Sequence, residues 1–287
     1  MKYSIVTYKQ VLQATSDLRI DSEYFKPEYL MSENRIEKGA FETLDNISDV
    51  KGGKRLPLGE AFSKDGIPYI RAEDIRFFAN YMQAPRISLE LHKRLRNYQT
   101  KNNDVLLTIV GNSVGDVGIV KFELDKCNLT ENCAKIVNPK NILPEFLFAF
   151  LLSRYGQHQI HREKVGTAQP KLALVRIRNF KIPVMSVDFQ LIIKNIINNA
   201  NTANEEANQT YLQSEQVLLS ELNLLNWQPQ HCLSFAQQYA DTQSASRIDA
   251  EYFQPMYAEI VQAITSTKGY YCLGDLVSIK KYGSSPI

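Results

Sequence analysis

Side chains able to hold phosphate oxygens and read base edges gather at four places in this sequence. Lys54 and Arg55 follow Gly52 and Gly53, Arg71 and Arg76 flank a strand, Asn112 and Ser113 sit beside Gly111, and residues 166–171 (GTAQPK) set Gln169 and Lys171 in a polar loop. Arg, Lys, Asn and Gln carry the donors and acceptors that match base edges, and the same groups with backbone amides hold phosphates. Glycine next to them lets a polymer come close to the backbone. Residues 51–101 hold eleven Lys or Arg against five Asp or Glu, an excess suited to a polyanion. Glu60, Asp65, Glu73 and Asp74 are interleaved with these bases, so an ordinary solvated surface is the competing reading. Taken together the four groups favour contact with nucleic acid. Lys54 and Arg55 are expected on phosphates, Arg71, Asn112 and Gln169 on bases, and Arg76, Ser113 and Lys171 beside them.

Catalytic patterns are missing. There is no [DNS]-P-P-[YFW] of an amino-methyltransferase, no G-x-x-x-x-G-K-[ST] phosphate loop, no Pro-Asp pair of the usual nuclease core and no G-x-S-x-G elbow. GNSVGDVG at residues 111–118 has the wrong glycine spacing and no lysine for a phosphate loop, and reads as a hairpin turn. His158 and His161 are three apart, but no cysteine or carboxylate follows at a zinc-binding spacing.

The elements that must carry these residues are short, and one is long. Residues 67–75 and 105–110 read as buried strands, and 111–116 is a turn cluster leading into the strand VGIV, which makes a hairpin. A helix begins near Pro144, with Phe146, Leu147, Phe150, Leu151 and Tyr155 as its apolar face. Residues 178–184 return to a strand. From Phe189 to Trp227 there is no Gly or Pro for 39 residues, and apolar or small residues recur in alternating fours and threes, which predicts a long helix with a coiled-coil seam ended by Pro229. Ile193, Ile196, Ala200, Leu218, Leu222 and Leu225 are the seam positions expected to meet a partner helix. Such a helix gains too little by itself and needs that partner. The polar residues 236–246 read as a linker.

The chain also repeats itself. Residues 19–29, RIDSEYFKPEY, return as RIDAEYFQPMY at 247–257 with eight of eleven identical, and after a one-residue slip Leu44, Val50, Lys51 and Pro57 are answered by Leu273, Ile279, Lys280 and Pro286. The period is far too long for a solenoid, so the plainest account is one whole half and the opening of a second. Tyr24, Phe25, Pro27 and Tyr29 form an aromatic cluster suited to packing. An apolar content of 44% supports a real core, and four cysteines without a CxxC pair suit a reducing compartment. No signal peptide or membrane span is evident. The expectation is a soluble cytoplasmic protein with no membrane partner.

Residues 19–29, GIPYIRAEDI, DVLLTIVGNSVGDVGIV, LTENCAKIV and GTAQPKLALVRIRNFKIPV, in that order and spacing, resemble successive landmarks of the specificity subunit of type I restriction-modification enzymes. The resemblance covers nearly the whole chain. It implies an α+β fold: an N-terminal conserved segment (1–38), a mixed α/β DNA target recognition domain (39–188), a long coiled-coil spacer helix (189–228), and a linker with the second repeat copy and the start of a second recognition domain (229–287). It further implies a non-catalytic subunit that reads one half of a bipartite site in double-stranded DNA and holds methyltransferase subunits, through which restriction subunits join. No cofactor is expected on this chain; S-adenosylmethionine, ATP and Mg belong to the partners. The departure is that family members carry two complete recognition domains and this chain one, which leaves a shortened product, a fragment, or a half-subunit dimerising through the long helix. Two other readings stand beside it: the recognition part of a fused methyltransferase-nuclease, and a coiled-coil assembly factor that does not read DNA.

Overall fold

The computed structural model describes residues 4–14, 19–78, 84–121, 127–166, 168–228, 230–267 and 269–277. It divides into two units, Met1–Thr202 and Ala203–Ile287.

The first unit opens with a short helix, α1 (Tyr8–Ala14), and the repeat turn, followed by α2 (Pro27–Glu37). Pro27 at its first position and Glu28 in its first turn suit a helix start. Next come β1 (Phe41–Thr43), the single turn α3 (Leu44–Ile47), β2 (Asp49–Gly52), β3 (Ile67–Ile70), β4 (Arg86–Ile87), α4 (Leu89–Arg94), β5 (Gln99–Thr100), β6 (Val105–Thr108), β7 (Val117–Ile119), β8 (Cys127–Leu129) and β9 (Cys133–Val137). Then α5 (Pro144–Leu152), α6 (Arg154–Glu163), α7 (Leu174–Arg178) and β10 (Lys181–Pro183) lead into α8 (Val187–Glu221).

One antiparallel sheet has the order β2-β9-β6-β7, a second has the order β4-β3-β8-β5, and β1 pairs with β10. In the second sheet β3 and β8 run parallel. The side chains of β6 alternate between two cores. Val105 and Leu107 point into the larger core, where Phe146, Leu147, Phe148 and Leu151 of α5 pack. Leu106 points into a smaller core with Ile70, Cys127 and Leu129 of the other sheet. Burial on both faces is why β6 reads as an apolar run rather than an alternating one; β9 is likewise buried throughout. Lys135 of β9 is buried on the side facing the smaller core, its Nζ donating to the Gln99 carbonyl. Burial pulls the Lys135 ammonium below its ordinary value and pushes nearby Asp104 up to about 6.

Several sequence expectations change. The strand expected over 178–184 shrinks to Lys181–Pro183, because α7 takes in Arg178 and Asn179 caps it. The strand expected over 67–75 stops at Ile70, because the Asp74 carboxylate accepts the Arg71 N–H at 2.9 Å and closes a single 3₁₀ turn. The strand expected over 105–110 ends at Thr108, and Val110 rejoins only in a bridge to Lys171. The helix from Pro144 breaks at Ser153, whose extended backbone and hydroxyl cap the next helix. Tyr155 therefore lies on α6, exposed, and α5 is buried nearly all round. The long helix stops at Glu221. Asn223 adopts a positive φ of 55°, with Asn223 N–H donating to Ser220 O at 3.0 Å and Leu224 N–H to Leu219 O at 2.7 Å. These paired bonds satisfy the last carbonyls in the manner of a left-handed helix stop. Leu222 and Leu225 accordingly fall past the helix and do not extend its seam; Pro229 lies outside the described residues.

The root of α8 is fixed within the first unit. Ile193 and Ile197 pack against the larger core, and the Phe189 ring meets Phe146 at 6.2 Å. Of its 35 residues only Gln190 is buried.

The second unit holds α9 (Tyr239–Ala245), α10 (Pro255–Thr267) and α11 (Leu273–Leu276). Residues 236–246, expected as a plain linker, contain α9. Ile279, Lys280 and Pro286 of the repeat lie outside the described residues.

Candidate nucleic-acid interface

The eight residues expected to touch nucleic acid all sit on connections, not in strands. For all of them but Arg76, those connections meet at one edge of the two sheets. The chain leaving β2 passes directly against the turn between β8 and β9: a β-carbon at Gly53 would lie 2.0 Å from the Thr130 carbonyl oxygen, so only glycine fits. Gly53 N–H donates to Cys133 O at 3.0 Å and Lys54 N–H to Leu129 O at 2.8 Å. The Tyr69 hydroxyl donates to the Lys54 carbonyl. Lys54 and Arg55 thus emerge, exposed, from a rigid crossing point.

From there a series of backbone hydrogen bonds runs along the edge. Thr130 N–H donates to Ile70 O at 3.0 Å, beside Arg71; Ile109 N–H donates to Asn132 O at 2.8 Å; Leu172 N–H donates to Ile109 O at 2.9 Å; and Gly111 N–H donates to Pro170 O at 3.0 Å. Val165 and Lys171 exchange two bonds of 2.8 Å that close the loop carrying Gln169. This loop is tied to the β6–β7 hairpin by the Gly111–Pro170 bond and the Val110–Lys171 bridge, which brings the segment of Gln169 and Lys171 beside the one that carries Asn112 and Ser113. Gly111 in the hairpin has a φ of 100° and no atom within 4 Å of where a β-carbon would be, so the backbone there is open to a close approach. The hairpin is braced from behind, where Gln157 of α6 donates to Gly115 O at 3.0 Å. Arg76, exposed, follows β3 and lies by Asp116 at the far side of the hairpin; burial pushes the Asp116 carboxyl up, and Arg76 opposes that shift.

The cations of this edge differ in freedom. Arg55 pairs through Nε with Glu131 Oε1 at 2.6 Å while remaining 82% exposed. Burial works against the Glu131 charge, but the hydrogen bonds from Arg55 and Thr130 outweigh it and hold the carboxyl below the usual range. Arg71 is spent more fully: its Nε meets Asp74 Oδ2 at 3.1 Å and its guanidinium also pairs with Glu73. That pairing fixes Arg71 in place and weakens the expectation that it reads a base. Lys54, Arg76 and Lys171 have no ion-pair partner among the described residues. Asn112 and Gln169 are exposed and Ser113 half-buried.

Glu131 and Gln157 carry no signal in the sequence that would single them out. Glu131 tempers Arg55 and Gln157 braces the hairpin, and only the tertiary fold brings either to the edge. On α8, Ile196, Ala200 and Leu218 are exposed, as an assembly surface requires, whereas Ile193 is partly taken up by the body's own core. Among the described residues no group of His, Cys, Asp or Glu could hold a metal ion, and no helix is long and apolar enough to cross a membrane. The edge offers Lys54 and Lys171 as cations, with Arg76 on the far side of the hairpin, and a cluster of amide and hydroxyl groups on rigid loops. That arrangement can hold a polyanion and contact its bases.

A family model described as the type I restriction modification DNA specificity domain matches residues 38–216. The chain is 31% identical over 131 residues to the specificity subunit of the type I restriction enzyme EcoBI of Escherichia coli, a stretch covering 44% of this chain and 27% of that protein. It is 23% identical over 155 residues to the MjaVIII specificity subunit of Methanocaldococcus jannaschii, covering 51% of this chain and 36% of that one. The matched part thus spans between about a quarter and a third of these curated relatives. The crystal structure of a type I restriction-modification S subunit from M. genitalium aligns with a TM-score of 0.45 at 16% identity, over 64% of this chain and 44% of that one.

Proposed function

The chain belongs to the type I restriction modification DNA specificity domain family, and from that premise we propose that it is a non-catalytic specificity subunit whose sheet-edge loops read one half of a bipartite target in double-stranded DNA. The observation that carries this reading is the convergence of Lys54, Asn112, Ser113, Gln169 and Lys171 on one edge, where main-chain hydrogen bonds tie their loops together. Phosphate contacts by the two lysines set the register, and the amide side chains at the hairpin and its covering loop meet base edges. In this reading α8 binds methyltransferase subunits, through which restriction subunits are recruited, in the cytoplasm. S-adenosylmethionine, ATP and Mg are handled by those partners and not by this chain.

A bipartite target needs two readers. We propose that a second copy supplies the other one, paired through α8 in a closed two-fold arrangement. Two identical readers related by a two-fold axis see inverted copies of one half-site, so the target is an interrupted palindrome. Methylome sequencing of cells expressing this chain with its methyltransferase subunit tests both parts. The expected result is adenine methylation at one interrupted palindrome. Methylation without any sequence preference would overturn the DNA-reading role, and an asymmetric target would overturn the two-copy arrangement.

A further inference from the structure

The one buried residue of α8 is a glutamine, and its amide is fully used. Gln190 Oε1 accepts the Leu143 N–H at 2.7 Å, and Gln190 Nε2 donates to the Met185 carbonyl at 3.0 Å, in a side chain only 4% exposed. Leu143 is the residue that precedes Pro144 and caps α5, so its N–H has no place in that helix's own ladder. Met185 lies in the connection between β10 and α8. A single side chain therefore joins three segments: the start of α5, the connection, and the first turns of the long helix. The apolar contacts of Phe189, Ile193 and Ile197 hold the same turns against the core, but apolar packing is non-directional and tolerates small rotations. The two hydrogen bonds have fixed directions.

From these contacts we infer that Gln190 is a positioning residue for target spacing: it sets the angle at which α8 leaves the recognition body, and hence the separation of the two half-sites. The inference rests on the bipartite reading above. Its leverage is geometric. About 46 Å of helix lies beyond Gln190 at about 1.5 Å per residue, so a change of about 10° at the root moves the far end by about 8 Å. That displacement exceeds two base-pair steps of about 3.4 Å. Replacement by leucine leaves the Leu143 N–H and the Met185 carbonyl without their partner. Replacement by glutamate keeps the acceptor for Leu143 and sets a carboxylate oxygen against the Met185 carbonyl.

Two measurements on the full chain test this. First, Gln190→Leu and Gln190→Glu are assembled with the methyltransferase subunit and offered a DNA library with randomised spacers. The preferred spacer is expected to shift by about one or two base pairs, or its distribution to broaden, while the preferred bases within each half-site stay as in the wild type. A spacer distribution identical to wild type in both variants overturns the inference. Second, spin labels at Glu90→Cys on the body and Leu212→Cys on α8, in a background with Cys232→Ser and Cys272→Ser, report the distance without DNA. A shifted or widened distance distribution in either variant is expected, and an unchanged one counts against the clamp even if DNA binding is weaker. A wild-type chain with no spacer preference at all would overturn the bipartite reading, and the distance measurement alone would then decide whether Gln190 aims the helix. Gln190→Glu keeps the test decisive if Gln190→Leu fails to fold.

Discussion

The two copies of the repeated segment fold alike and live differently. In the first, Arg19 lies over the Tyr24 ring at 4.6 Å, Asp21 accepts the Tyr24 N–H at 3.0 Å, and the Tyr24 and Phe25 rings meet at 5.0 Å. In the second, Arg247 lies over Tyr252 at 4.4 Å, Asp249 accepts the Tyr252 N–H at 3.0 Å, and the Tyr252 and Phe253 rings meet at 4.9 Å. Yet Tyr24 is 3% exposed and Tyr252 is 45% exposed. The difference lies in what covers them. Arg162 of α6 stacks on the Tyr24 ring at 4.1 Å, donates to the Tyr24 carbonyl at 3.0 Å and pairs with Glu33 at 2.5 Å, while the Tyr24 hydroxyl donates to Glu163 at 3.1 Å. Where α2 carries Ser32 and Glu33, α10 carries Ile260 and Val261. The local shape of the motif is thus written in its own Arg, Asp and Tyr, whereas its burial is a property of its neighbour.

The largest effect should therefore come from cutting the same side chain in both copies. Tyr24→Ala removes a buried aromatic ring, its hydroxyl bond to Glu163 and the face on which Arg162 stacks, which should cost roughly 3–5 kcal/mol. Tyr252→Ala removes an exposed ring and should stay within about 0.5 kcal/mol. Urea unfolding followed by circular dichroism reports the body, and fluorescence of Trp227, the single tryptophan, reports the second unit. Equal destabilisation by the two substitutions would break the comparison, because it would mean that the second copy is covered in solution.

The next contrast is in acid. Burial opposes the charge on Glu33, but hydrogen bonds and charges from Lys181 and Arg162 outweigh it and hold the carboxyl below its ordinary 4.5. A carboxyl lowered in the folded state adds stability that is present above the unfolded value and is lost as pH falls through the folded one. Glu33→Gln should thus cost about 2 kcal/mol at neutral pH, less than a fully buried pair because Glu33 is 29% exposed. The gap between variant and wild type should close as pH drops below about 4.5. Val261 occupies the matching place in the second copy, so Val261→Gln should show no such pH dependence. A Glu33→Gln deficit that persists unchanged at about pH 3 would show that packing, not charge, is what Glu33 provides.

Much of this was legible in the sequence, and the rest depended on tertiary partners. The repeat, the β6–β7 hairpin and the existence of the long helix follow from identity, turn residues and periodicity, which are local. The stop at Glu221 was hidden because no glycine marks it; an asparagine took the left-handed position. The split at Ser153 was hidden because Tyr155 falls four residues after Leu151 and so continues the spacing of the apolar face. For the site, residue type placed the candidates on loops, but Arg71 could not be seen to be spent on Asp74, nor Arg55 to face Glu131 from 76 positions away. Ile193 reads as a seam residue from its spacing alone; only the fold shows that the body uses it.

The smallest effect concerns cations that are not spent, the opposite case to Arg162. Lys54 and Lys171 are exposed on the candidate edge with no ion-pair partner among the described residues, whereas Arg55 is held by Glu131. Removing a side chain that neutralises one phosphate should lower the slope of log K against log salt by about one unit for duplex DNA. Lys54→Ala and Lys171→Ala should each do so in the assembled complex, with folding stability unchanged and affinity weakened alike for all sequences. Arg55 must first give up Glu131, so its substitution returns less: Arg55→Ala should flatten the slope by clearly less than about one unit. Glu131→Gln should do the reverse, freeing Arg55 and tightening binding at low salt. This ranking separates contact from proximity, because three cations on one loop edge would otherwise be expected to count equally. If Lys54→Ala and Lys171→Ala leave the slope where it was, the edge does not touch the backbone; if Arg55→Ala matches Lys54→Ala, the ion pair with Glu131 does not restrain Arg55 when DNA arrives.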